Sequence, residues 1–270
     1  QHFGFQLAFF DHYYPAPAVE PIQPPSDFAA RADRFVGAYK WTMSSYTTLE
    51  KFFALTGPTI NVTNPGDGTL LLESPFGDWS IVEESPLYFR FVDSSYHVAF
   101  REDDDGRMVY LFTDMTPMMS FEKVPWYETL GFNMPLLITS LLLFLSMLIV
   151  TFIRFLRRRR LVADQTPSSR RVRAASRLIA WISVLNLLFI VGNVMWGEQI
   201  VFGVPFAYKV TLGLGVLSAL LTIAALVHTV LAWKDRYWGV VFRVYYTLVT
   251  LAAVAFVWFL NQWNLLGWRY

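Results

Sequence analysis

The sequence predicts a small antiparallel β-barrel of about eight strands, lipocalin-like, followed by a four-helix transmembrane bundle. Three observations carry this expectation. Four apolar runs without Asp, Glu, Lys or Arg fill the second half, roughly Leu130 to Ile153, Leu178 to Gly197, Val210 to Trp233 and Val244 to Trp268. About 20 such residues are enough to cross a bilayer core as a helix. Nine arginines fall between Arg154 and Arg177 with Asp164 as the one acidic residue among them, the mark of a short loop kept on the cytoplasmic side. The first half holds short runs rich in β-branched and aromatic residues, each bounded by Gly, Pro, Asn, Asp or Ser.

Taken in order, residues 1–14 carry an apolar helical stripe of Phe3, Leu7 and Phe10 with Tyr14. The stripe reads as the last helix of a domain that precedes this chain. Prolines at 15, 17, 21, 24 and 25 make 15–33 a stiff, extended linker. Residues 34–127 form the barrel domain, with strands expected at Phe35–Thr42, Thr59–Thr63, Thr69–Glu73, Asp78–Glu83, Leu87–Phe91, Tyr96–Arg101, Met108–Thr113 and Ser120–Val124. Their even spacing favours a closed barrel or a sandwich. Asp67-Gly68 and Asp105-Gly106 give the tightest turns, where glycine supplies a positive φ. Between the first two strands, Leu49, Phe52, Phe53 and Leu55 keep a helical spacing, so Thr47–Leu55 is expected as a short helix that could plug a barrel end.

Residues 128–270 form the membrane domain. Trp126 and Tyr127 precede the first span, Trp196 and Trp233 close the second and third, and Trp263, Trp268 and Tyr270 crowd the end of the fourth, as amphipathic rings do at headgroup level. Lys234-Asp235-Arg236 with Arg243 makes the second joint basic as well. With both joints inside, four crossings place residues 1–127 and the C-terminus outside the cytoplasm and the loop 154–177 within it.

Net charge is +1, but residues through Leu130 hold 8 Lys/Arg against 18 Asp/Glu, and the remainder 14 against 3. An acidic soluble half does not suit nucleic acid, whose phosphates require a basic footprint. The chain has no cysteine, so the barrel domain must be held by its apolar core. It begins at Gln1, with no export signal in view, and is read as the later part of a longer polypeptide.

Candidate sites are few. Glu102-Asp-Asp-Asp-Gly106 resembles part of a calcium loop, but Arg101 and Phe112 stand where a first ligand and a closing Glu belong, so a solvated hairpin turn is expected. Asn61-Val-Thr63 matches a glycosylation sequon. His2, His12, His97 and His228 are scattered without paired spacing, so no metal and no other cofactor is expected. His228 is the one ionisable group inside a span. Ser183, Asn186 and Asn193 project from a common helix face as hydrogen-bonding glue or a polar ligand pocket, and Gly213, Gly215, Ser218 and Ala219 permit close helix approach.

Several strings resemble the C-terminal portion of membrane-bound serine hydrolases of the penicillin-binding-protein-like, class C β-lactamase-related superfamily. They are Phe9-Phe-Asp-His-Tyr-Tyr-Pro15, Phe35-Val-Gly-Ala-Tyr-Lys40, Tyr46-Thr-Thr-Leu-Glu-Lys51, Asp67-Gly-Thr-Leu70, Val98-Ala-Phe-Arg-Glu-Asp103 and Phe121-Glu-Lys-Val-Pro-Trp126. The resemblance implies a hydrolase domain in the same polypeptide, a bacterial inner-membrane location, and acyl transfer on peptide, ester or β-lactam-type substrates. Of that family's catalytic groups, Tyr-x-Asn is missing. His2-Phe-Gly4 matches the third motif only nominally. Ser120-Phe-Glu-Lys123 is a Ser-x-x-Lys in a strand-like run before Pro125, where a period of two sends Ser120 and Lys123 to opposite faces. No catalytic, cofactor-binding or metal role is assigned to any residue. The leading expectation is therefore a non-catalytic barrel and anchor region of a serine hydrolase. The alternative is a stand-alone membrane binding or sensing protein whose barrel holds an apolar ligand or lipid, and a small transporter is a distant third.

Overall fold

The structure, a computed structural model, describes residues 9, 12–13, 20–75, 77–160 and 170–270. The helical stripe at Phe3, Leu7, Phe10 and Tyr14, the His2-Phe-Gly4 string and residues 161–169 of the arginine-rich segment lie outside them. The chain divides into two compact units. One is built around Gly57–Pro125 with the residues up to Met43; the other combines Ser44–Thr56 with Trp126–Tyr270.

The first unit is a closed eight-stranded barrel: β1 Gly37–Trp41, β2 Thr59–Thr63, β3 Leu70–Ser74, β4 Gly77–Ser85, β5 Tyr88–Phe91, β6 His97–Glu102, β7 Met108–Thr113 and β8 Ser120–Lys123. Each strand pairs antiparallel with the next, and β8 returns to β1 with Tyr39 opposite Lys123, leaving no free edge. All eight strands fall where the sequence placed them. Alternate residues such as Ile60 and Val62, Leu70 and Leu72, or Val98 and Phe100 turn inward and are buried, as the pleat requires. At Gly68, φ is +88° and an added Cβ would run into Pro24; at Gly106, φ is +75°. Both expected turns therefore use the freedom glycine alone has.

The barrel is filled by its own side chains. Phe35 sits 4.9 Å from Phe100 and 5.0 Å from Phe89, ring centre to ring centre, with Phe28 5.7 Å from Phe89. Tyr39 is fully buried, donates its hydroxyl hydrogen to Phe35 O at 2.8 Å, and has its proton affinity pushed well up by burial. The stretch expected as a linker through residue 33 gives way before that point: Phe28–Arg31 is a short α-helical turn, Ala32–Arg34 continues as 3₁₀, and Phe28 and Ala32 belong to the barrel core. The reason is apolar content. Phe28, Ala32 and Phe35 repeat at helical spacing on a segment whose prolines have ended.

The second unit contains α1 Leu130–Arg160, α2 Arg170–Trp196, α3 Phe206–Lys234 and α4 Val240–Gln262. All four are long and apolar enough to cross a membrane, which makes the chain a multi-pass membrane protein. Their outer surfaces expose Leu142, Ile149, Leu220, Val230 and Val241, side chains at home in lipid and costly in water. The core between them includes Phe144, Ile182, Phe189, Val249 and Phe256.

Two expectations are corrected here. Leu49–Leu55, expected as a helix that could plug a barrel end, is a 3₁₀ helix of the membrane unit: Leu49 and Leu55 are buried in the bundle core, and Phe52 meets Phe259 edge-on at 6.3 Å. The fourth span ends at Gln262, short of Trp268. Asn264 takes φ +55°, and the amides of Leu265 and Leu266 turn back to Leu260 O at 2.7 and 3.1 Å. A left-handed residue just past the last turn closes a helix whatever the hydropathy beyond it.

Candidate functional site

Within the membrane unit, polar side chains gather at the end of the bundle where α1 begins and α4 stops. Asn133 is fully buried one turn into α1. Its Nδ2 donates to Tyr127 O and Thr129 O, both at 2.8 Å, and its Oδ1 accepts the Trp263 indole N–H at 3.0 Å. Trp263, expected as a headgroup anchor, is therefore a buried core ring whose N–H found an internal partner. Asn264 donates to Tyr46 O at 2.9 Å and Thr48 O at 3.1 Å, and accepts from Arg269 at 2.7 Å; Leu49 N–H donates to Arg269 O at 2.7 Å. Glu128 Oε1 accepts from Gln262 Nε2 at 2.5 Å and from Lys51 Nζ at 3.3 Å, and the Lys51 ammonium lies 5.7 Å from the Trp263 ring centre. Three separate stretches of chain are thus tied into one cap.

Deeper in the bundle, the polar face expected on the second span does join helices. Asn186 and Ser183 are fully buried; Ser218 donates to Asn186 Oδ1 at 2.5 Å, and Tyr208 to Asn193 Oδ1 at 2.9 Å, both joining α3 to α2. Ser183 closes on its own helix at Ile179 O. Gly215 lets α3 approach Phe189 and Leu260 closely. Sequence reasoning missed the tightest contact, Gly192 of α2, where a Cβ would collide with the Thr211 side chain. Further bonds link Thr229 to Thr250 at 3.2 Å and Ser146 to Tyr245 at 2.7 Å. His228 lies in α3, half-buried, its Nδ1 without a hydrogen-bond partner.

The Ser-x-x-Lys string occupies β8. Ser120 Oγ shares a 2.6 Å hydrogen bond with Thr42 Oγ1, while Lys123 Nζ donates to Arg34 O at 3.0 Å and lies over the Tyr39 ring. Burial holds Lys123 below the usual lysine range, but strand alternation turns its ammonium away from the Ser120 hydroxyl, so it cannot act as that hydroxyl's base. Glu102 to Gly106 forms the β6–β7 turn, with Asp103 Oδ1 accepting the amides of Asp105 and Arg107. Asn61 is exposed on β2. His97 stacks on Tyr88 at 4.9 Å between Glu84 at 3.4 Å and Asp114 at 3.3 Å. Among the described residues no group of three or more His, Cys, Asp or Glu is placed to hold a metal ion.

The barrel conceals one more site that spacing did not reveal. Glu83, on β4, is fully buried and forks against Arg31, with Nη1 to Oε1 at 2.6 Å and Nη2 to Oε2. Its Oε1 also accepts Leu87 N–H at 3.3 Å, at a turn where Leu87 holds φ +65°. Glu83 and the smaller Asp27 contact raise the Arg31 proton affinity further.

Comparison with protein-family models, with curated proteins and with solved structures finds no match to this chain. The geometry alone defines its class: a multi-pass membrane protein carrying a closed, side-chain-filled barrel.

Proposed function

We propose that this chain is the non-catalytic barrel and membrane-anchor region of a serine hydrolase that carries out acyl transfer on peptide, ester or β-lactam-type substrates. The sequence strings that resemble that superfamily support the reading. One structural observation favours an anchoring role for this region: its only Ser-x-x-Lys lies on a strand with the two side chains engaged elsewhere. The aromatic filling of the barrel weighs against the alternative of a ligand held inside it. In this reading the region sits in a bacterial inner membrane, with residues 1–127 and the C-terminus outside the cytoplasm and the arginine-rich segment within.

Two measurements test it. A fluorophosphonate or β-lactam probe should label the polypeptide translated from the full reading frame, and Ser120→Ala should leave that labelling intact. Loss of labelling in a folded Ser120→Ala protein would place the nucleophile in this chain and overturn the assignment. For orientation, a Ser168→Cys probe should be shielded from an impermeant thiol reagent in intact cells while one at Asp104 reacts; the reverse pattern inverts the topology.

A further inference from the structure

The joints α1–α2 and α3–α4 are both basic, with twelve Lys/Arg against two Asp over 154–177 and 234–243, and the bundle brings them together. The Arg154 guanidinium, near the end of α1, lies 3.8 Å from the centre of the Phe242 ring on α4, and that of Arg243 lies 5.0 Å from the centre of the Trp233 ring at the end of α3. Arg171, at the start of α2, reaches Asp235 at 3.6 Å. All four helices therefore meet at one cationic end. Asp235, the carboxylate of the second joint, is engaged by Arg171, and the Arg243 Nε–H is buried without a hydrogen-bond partner.

The height at which Arg154 and Arg243 stand selects what meets them. Phe152, Phe155 and Leu156 flank Arg154 along α1, Val241 and Val244 flank Arg243 along α4, and all five are exposed apolar side chains. Such side chains belong in lipid, so both arginines emerge at the edge of the hydrocarbon and not from a loop standing in open water. The anions at that height are lipid phosphates. A nucleic acid or an acidic protein would have to cover the apolar side chains along with the arginines. A zwitterionic headgroup would bring its own ammonium to an end already rich in cations, whereas a headgroup of net negative charge meets attraction alone. We infer that the basic end of the bundle is a binding surface for anionic phospholipid, with phosphates at Arg154 and Arg243 and an acyl chain beside Arg243 along the exposed line Val241, Val244 and Leu248. The inference rests on the four helices crossing a bilayer, and is independent of the hydrolase reading and of which side of the membrane this end faces.

The test uses the full chain in nanodiscs of equal parts phosphatidylethanolamine and phosphatidylglycerol. Native mass spectrometry should find phosphatidylglycerol retained in preference to phosphatidylethanolamine by at least about fivefold, the worth of one arginine near an anionic surface. Arg243→Gln should remove about that factor, Arg243→Lys should keep most of it, and Lys209→Gln, at the other end of α3, should leave it unchanged. Phosphatidylglycerol with a diazirine in its acyl chain should crosslink to peptides containing Val241, Val244 or Leu248. Equal retention of the two lipids by the wild-type protein, a preference that Arg243→Gln leaves intact or that Lys209→Gln lowers as much, or crosslinks spread evenly around the bundle would overturn the surface. Displacement of the retained lipid by an equal concentration of inorganic phosphate would identify a plain anion site and overturn the lipid assignment. Circular dichroism of each variant confirms that a lost signal reflects lost binding.

Discussion

Removing Arg31 should weaken the barrel more than any change to its exposed salt bridges. Arg31→Met keeps most of the aliphatic stem but removes the guanidinium that lies over Phe28, and leaves the fully buried Glu83 carboxylate without its cation. Breaking one partner of a buried pair costs about 3–5 kcal/mol. Arg31 keeps 23% of its side-chain surface exposed, so water can reach part of the site and the lower figure, about 3 kcal/mol, applies. The contact with Asp27 adds little, since that carboxylate is fully solvated. Hydrogen exchange of the amides of residues 78–91, read by mass spectrometry on the full chain in nanodiscs, reports the loss. At 1.4 kcal/mol per decade, about 3 kcal/mol becomes roughly a hundredfold faster exchange where opening is cooperative.

The double variant Arg31→Met/Glu83→Leu separates charge from shape. It removes the buried charge, so it should recover part of the loss, but not all, because the partly buried Leu87 N–H then has no protein acceptor, at a cost of about 1 kcal/mol. Exchange in the double variant should fall between wild type and Arg31→Met. If Arg31→Met exchanged within about threefold of wild type, or the double variant exchanged faster than the single, the pair would not be a latch on the barrel.

Three further outcomes follow from the same geometry. Gly192→Ala should lower the thermal unfolding temperature in detergent by overpacking against Thr211, at a cost of about 1–3 kcal/mol, and Thr211→Ala in the same protein should restore much of it. Asn186→Leu should cost less, because interhelical hydrogen bonds in membranes average about 0.6 kcal/mol and Asn186 Nδ2 has no partner to lose; a larger drop than Gly192→Ala would mean that hydrogen bonding outweighs steric fit in holding α2 to α3. In acid, Asp67 is held below the usual carboxylate range by the Thr69 hydroxyl and amide. Its contribution is therefore complete above the unfolded value of about 3.9 and lost as pH falls through the lower folded value. Asp67→Asn should flatten the acid limb of barrel stability measured by exchange, and an unchanged limb would show that the carboxylate adds nothing.

The barrel was legible because each strand advertises itself twice, through β-branched and aromatic content and through the turn residues at its ends. The helices were legible from uncharged length alone. What escaped depends on side chains that meet across long sequence separations. Arg31 and Glu83 lie 52 positions apart, Asn133 and Trp263 130 apart, and no local pattern links either pair. Hydropathy also overran α4, because Trp263, Leu265 and Leu266 are as apolar as the span before them; only the backbone at Asn264 reveals the stop. Gly192 escaped for a related reason. A lone glycine in an apolar helix has no small neighbours at the usual spacing, and the partner that gives it meaning, Thr211, lies on the next helix.

The placement of Ser44–Thr56 changes how the two units must be understood as a folding problem. The connection between β1 and β2 is a hairpin by pairing, with Lys40 opposite Thr59, yet its loop is a structural part of the membrane unit. A hairpin of this kind cannot rely on a local turn to set its register, since the 13 residues between Met43 and Gly57 make no tight turn of their own. Register here must come from the strand pattern and from β8 pairing with β1 on the other side. The loop, for its part, gains its order from Asn264, Arg269 and Glu128, residues more than 70 positions further along the chain. The loop that joins the first two strands is therefore ordered by residues at the ends of the membrane helices. A defect at Asn264 should loosen Leu49–Leu55 before it disturbs any strand, a sequence of events visible as early exchange in that loop alone.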